Sequence, residues 1–146
     1  MVEIRKTNEF TDWLNGLRDV VGRAKILVRI QRLAAGNPGD VKAIMSKTIT
    51  TIFDVAEHLR TPEEMAAYLE ASIEEANGDA SFIAKALGDI ARAQGMTKIA
   101  ENTGLSRESL YKALSGELIP SFDTILKVIA ALGLKLHAEP LLKKAS

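Results

Sequence analysis

The residues best suited to chemistry in this sequence cluster in one short stretch: Thr97 and Lys98, then Ser106, Arg107, Glu108, Ser109 and Lys112. An arginine can bond a guanine edge with two parallel hydrogen bonds, a lysine reaches guanine or phosphate, and a serine contacts base or backbone. Glu108 can accept from a cytosine amine or orient Arg107. Thr97 and Lys98 fall at the start of a short helix, where exposed backbone N–H groups favour a phosphate. This is the residue set of a DNA-reading surface. The plainer reading is a helical hairpin whose polar face is merely solvated. Tyr111 can touch phosphate through its hydroxyl or close the core.

Other chemistries find little support. The chain has no cysteine, which removes disulfides, thiolate metal sites and a cysteine nucleophile. His58 has Asp54 four residues before it, an acid–base spacing without a nucleophile or third partner, and reads as a helix-surface histidine. His137 lies on the polar side of an alternating segment. No phosphate-cradling glycine motif, paired-histidine metal motif or G-x-S-x-G turn occurs. The expectation is a non-enzyme with no cofactor and no metal.

The elements that must position these side chains follow from local signals. Ile99, Ala100 and Thr103 share one narrow face of a first helix, and small Ala100 lets a second helix cross closely. Gly104 supplies a left-handed stop, Leu105 plugs the corner, and Ser106 caps the next helix. There Leu110, Ala113 and Leu114 face inward, leaving Arg107, Glu108, Ser109 and Lys112 outside. Upstream, Thr61-Pro62-Glu63-Glu64 combines a cap, a proline at N1 and an acid at N3. Ala66, Leu69 and Ile73 are expected to face in. Asp79 opens a helix burying Phe82, Ile83, Ala86, Leu87, Ile90 and Ala91. Ser121 caps a last helix that Gly133 stops, and residues 134–138 alternate as an edge strand would. The fold class expected is mainly α, with a short N-terminal β-α-α segment.

Segments such as Thr61-Pro62-Glu63-Glu64-Met65, Ala86-Leu87-Gly88-Asp89-Ile90 and Gly104-Leu105-Ser106-Arg107-Glu108-Ser109-Leu110-Tyr111 resemble the HigA-like antidotes of toxin–antitoxin addiction modules. That family is of the Cro/repressor helix-turn-helix type, and the likeness spans residues 46–136. It implies a homodimeric repressor that binds an inverted-repeat DNA operator. The alternative it carries is a protein-interaction module that neutralises a separate RelE/HigB-type ribonuclease toxin.

The first 44 residues resemble the opening of a HigB-like toxin of the RelE superfamily, through Glu3-Ile4-Arg5, Trp13-Leu14, Ala24-Lys25-Ile26-Leu27 and Gly36-Asn37-Pro38-Gly39-Asp40. The sheet that carries the ribonuclease groups in that family does not follow, so no catalytic residue is carried over. The expected organisation is a toxin-like segment (1–44), a linker with a short helix (45–60), a DNA-binding antidote-like domain (61–138) and a tail (139–146).

Net charge is zero over 146 residues, but it is unevenly spread. The first 44 are net basic through residues such as Arg18, Arg23, Lys25, Arg29 and Arg32. Residues 54–79 are strongly acidic. A lone strand leaves both edges unpaired, and so short a segment buries too little surface to stand alone. Its stripe of Phe10, Trp13, Leu14 and Leu17 must therefore pack on the antidote part or on another copy of the chain, and the first, with Trp13 shielded, is the expectation. No apolar run approaches the ~20 residues of a membrane span, and the cytoplasm is the expected location.

Overall fold

Side-chain caps set most helix boundaries in the computed structural model, which describes residues 5–36 and 50–141. Thr7 ends strand β1 (Arg5–Thr7) and caps α1 (Asn8–Gly16) by accepting from the Phe10 N–H. Helix α2 spans Val20–Gly36. Strand β2 (Thr50–Ile52) pairs antiparallel with β1, Arg5 opposite Ile52, so the expected lone strand has a partner within the chain. Asp54 caps a single 3-10 turn, Val55–His58.

Thr61 and Glu64 form the reciprocal capping box that opens α3 (Pro62–Ala76), Asp79 caps α4 (Ala80–Gln94), and Ser121 caps α7 (Phe122–Ala131). After α7 the Gly133 N–H donates to Ala130 O and the Leu134 N–H to Ile129 O, the paired bonds of a Schellman stop. The fold is mainly helical, as the patterning implied.

One continuous core runs from Leu14 through Ala24, Leu27 and Val28 of the N-terminal segment to Tyr68, Leu87, Ile99, Leu110 and Val128. Helices α2 and α3 make the most extensive helix–helix contact. They run in the same direction. Arg23 near the start of α2 meets Glu64, and Arg32 near its end donates to the Glu75 carbonyl at 2.6 Å. Arg23 and Glu64 are 6% and 5% exposed, so this is a buried ion pair rather than a surface one. Burial and the neighbouring Arg60 charge lower the Arg23 pKa.

Four expectations are corrected. Trp13 is 53% exposed; it leans on Phe10 at 5.8 Å, while its stripe neighbour Leu14 enters the core as expected. The inward face of α3 is Met65, Tyr68, Leu69, Ser72 and Ala76, and Ala66 and Ile73 lie outside. A helix held between α2 and α4 buries a different stripe from the one its aliphatic spacing suggests. His58 is 1% exposed, bonded to Asn15 at 3.0 Å and stacked on Phe53, because α1 closes over it. Residues 134–141 form no strand, since no extended segment lies alongside to pair with them among the described residues. Residues 1–4 and the Asn37-Pro38-Gly39-Asp40 stretch of the toxin-like segment, and the tail beyond 141, lie outside the described residues.

A buried polar network locks α3 to α4. The Tyr68 hydroxyl donates to Asp89 at 2.7 Å, and Arg92 bridges Asp89 at 2.5 Å and Asp54 at 3.0 Å. Burial, then the Asp89 charge, push the Tyr68 pKa well above 10.0. The folded state therefore holds the phenol proton at a pH where the unfolded chain releases it. The resulting stability is intact below about pH 10 and is lost as pH climbs from there through the folded value. Urea midpoints followed with pH are expected to fall above pH 10, and Tyr68→Phe is expected to remove that component of the decline.

Candidate nucleic-acid interface

Two short helices and the turn between them carry the candidate site. Gly95 (φ 111°) ends α4 and sets the direction of α5 (Met96–Thr103), whose first turn receives no side-chain cap. Its leading N–H groups are thus left for a ligand or solvent. Gly104 adopts φ 76° and ψ 8°, the left-handed conformation that a side chain would oppose, and its N–H closes the helix on Ala100 O. The Thr103 hydroxyl accepts from the Leu105 N–H at 3.3 Å, steadying the corner. Ser106 then caps α6 (Arg107–Ala113) by accepting from the Ser109 N–H at 3.0 Å, while its own hydroxyl donates to Ser109 Oγ.

The inner faces of this pair bury Ile99, Ala100, Leu110 and Leu114, with Ala113 and Thr103 half-buried. The fit beneath α6 is tight. A Cβ on Gly88 of α4 would lie 2.8 Å from the Leu114 carbonyl, so only glycine lets α6 settle on α4 there. Gln94 donates to the Leu132 carbonyl at 2.8 Å and ties the end of α4 to the end of α7. These positioning residues were not singled out from the sequence. A glycine in the interior of an apolar helix pattern was the available signal for Gly88.

The outer face is assembled as expected: Thr97, Lys98, Ser106, Arg107, Glu108, Ser109 and Lys112 are all exposed. Tyr111 joins them outside the core, its ring 5.8 Å from the Arg107 guanidinium. Elsewhere, Glu70, His137 and Glu139 approach one another on the surface, with His137 Nε2 3.8 Å from Glu70. All three are exposed, and the contact amounts to a surface pairing. Among the described residues no helix is long and apolar enough to cross a membrane.

This is thus a small, mainly helical protein that presents a polar face on two short helices. Residues 49–140 match the model of a family described as probable addiction module antidote proteins, and the chain belongs to that family. An uncharacterized protein of Haemophilus influenzae is 51% identical over 87 residues, which cover 60% of this chain and 88% of that protein. A second uncharacterized protein of the same organism is 42% identical over 43 residues, 30% of this chain and 43% of its own length. No solved structure matches the chain significantly.

Proposed function

We propose that this antidote-family protein is a sequence-specific DNA-binding repressor of helix-turn-helix type that binds an inverted-repeat operator as a homodimer. The observation that carries the reading is the division of α5 and α6 into two faces. One is consumed by the core, and the other collects Arg107, Ser109 and Lys112 with no structural duty in the interior. In this reading α6 enters the major groove, where Arg107 reads a base edge and Ser109 and Lys112 lie alongside. Ser106 and Glu108 flank them. Thr97 and Lys98 meet phosphate at the uncapped start of α5. A single such unit makes few base contacts, so two copies on half-sites about 34–36 Å apart supply selectivity. No catalytic step belongs to the proposal.

Readout and positioning contacts separate by mutation. Arg107→Ala is expected to weaken binding to the cognate site by about 1–3 kcal/mol and to relax one base position. Lys98→Ala is expected to weaken cognate and random DNA alike, lowering the salt slope by about one. Fluorescence anisotropy at several salt concentrations measures both. Unchanged cognate affinity in Arg107→Ala would remove α6 from the groove.

An antidote family implies a toxin as a protein partner. The acidic, partly covered helix α3 favours a protein-binding role alongside DNA contact.

A further inference from the structure

The matched family region begins at residue 49, so it contains α3 but neither α1 nor α2. Yet the longest helix contact of the fold lies between α2 and α3. A face of α3, which lies within the matched region, is thus covered here by a segment outside it.

The seam has the chemistry of an interface between partners. Arg23 pairs with Glu64 in a buried position, Lys25 and Arg29 line a cleft with Ala71, Glu74 and Glu75, and Arg32 reaches Glu75 and lies 5.4 Å from the Phe82 ring. Apolar Leu27 and Val28 fill the space between these charges. A basic amphipathic helix thus lies on an acidic one, the arrangement that orients two partners.

The α3 face also has supports of its own. Glu64 Oε1 accepts from the Thr61 and Arg60 N–H groups at 3.0 and 2.9 Å, so its carboxylate is fixed without Arg23. One turn along the helix, Tyr68 holds α3 to α4 through Asp89.

We infer that the α2-facing side of α3 is the protein-docking face of the antidote domain, filled in this chain by its own residues 5–36. The partner chemistry it selects is an amphipathic helix with Arg or Lys flanking a small apolar stripe. The inference rests on family membership and is independent of DNA binding. A separate partner with such a helix gains the face only by displacing the segment, which the covalent link holds at high effective concentration.

The test begins from the folded full-length chain, with a protease site introduced between residues 40 and 46. After cleavage, a fluorescein-labelled synthetic peptide of residues 5–36 is added and followed by anisotropy, with circular dichroism recorded in parallel. The expected result is exchange of the labelled peptide into the cut protein with helical signal retained, no uptake by the uncut chain, and roughly tenfold or more weaker uptake of an Arg23→Glu peptide. Equal uptake of both peptides, uptake by the uncut chain or failure of any peptide to exchange would overturn the inference. So would collapse of the helical signal when the segment leaves, which would make residues 5–36 an inseparable part of the core. A DNA titration of the cut protein separates this outcome from failure of the repressor reading.

Discussion

Arg23→Ala is expected to lower the unfolding free energy by about 3 kcal/mol, the lower end of the 3–5 kcal/mol typical of breaking a buried ion pair. Removing the guanidinium leaves the buried Glu64 carboxylate without its partner from α2. The loss falls at the lower end because Glu64 keeps the Thr61 and Arg60 N–H groups and the Arg60 guanidinium at 3.3 Å. Arg23 also donates to the Leu17 carbonyl at 3.3 Å, so the turn between α1 and α2 loosens as well. The exposed Asp123–Lys127 pair at 3.1 Å is the control: Lys127→Ala is expected to cost less than about 1 kcal/mol. Urea denaturation of the three proteins measures the difference. Equal stability of Arg23→Ala and wild type would mean that the Arg23–Glu64 pair does not help to hold α2 on α3.

Leu110→Ala is expected to destabilise the fold by about 2–5 kcal/mol, the range for truncating a buried leucine. Leu110 is fully buried beneath α6, where it anchors the helix that carries Arg107, Ser109 and Lys112. Its loss leaves a cavity at the hinge of the candidate interface. Glycine at position 88 already brings α6 against α4, so the backbone has little room to collapse into the space. DNA affinity is expected to fall together with stability, because the outer face of α6 no longer holds a fixed orientation. Thermal unfolding and anisotropy on the same preparation report both quantities. A variant as stable as wild type would place the support of α6 elsewhere.

What the sequence disclosed and what it concealed divide along the range of the interactions. Thr61, Asp79, Gly104, Ser106 and Ser121 were legible because a cap or a left-handed turn is written within a few residues of itself. The two-faced pattern of α5 and α6 was legible for the same reason. Position 58 was misread because its environment comes from Asn15, 43 residues away in sequence. The stripe of α3 was misread because Glu64 and Ser72 are buried by specific partners: Arg23 for the first, the Tyr68 carbonyl for the second. Hydrophobic spacing cannot register a polar group buried this way. Trp13 was expected inside with Leu14 on one apolar stripe, but of that stripe only Leu14 is fully buried and the indole stays at the surface. The pairing of β1 with β2 was likewise invisible, since two three-residue extended segments far apart carry no local sign of each other.

Whether the face of α6 reads DNA is decided by a single titration. The full-length chain is added to a labelled duplex taken from immediately upstream of its own gene, with unlabelled random duplex in excess, and the gel shift is recorded. A discrete shifted band is expected that survives the competitor, has the stoichiometry of two chains per duplex, and is lost or greatly weakened with Arg107→Ala. A chain that leaves the duplex unshifted, or that shifts it no better than random DNA and is indifferent to Arg107→Ala, would contradict it.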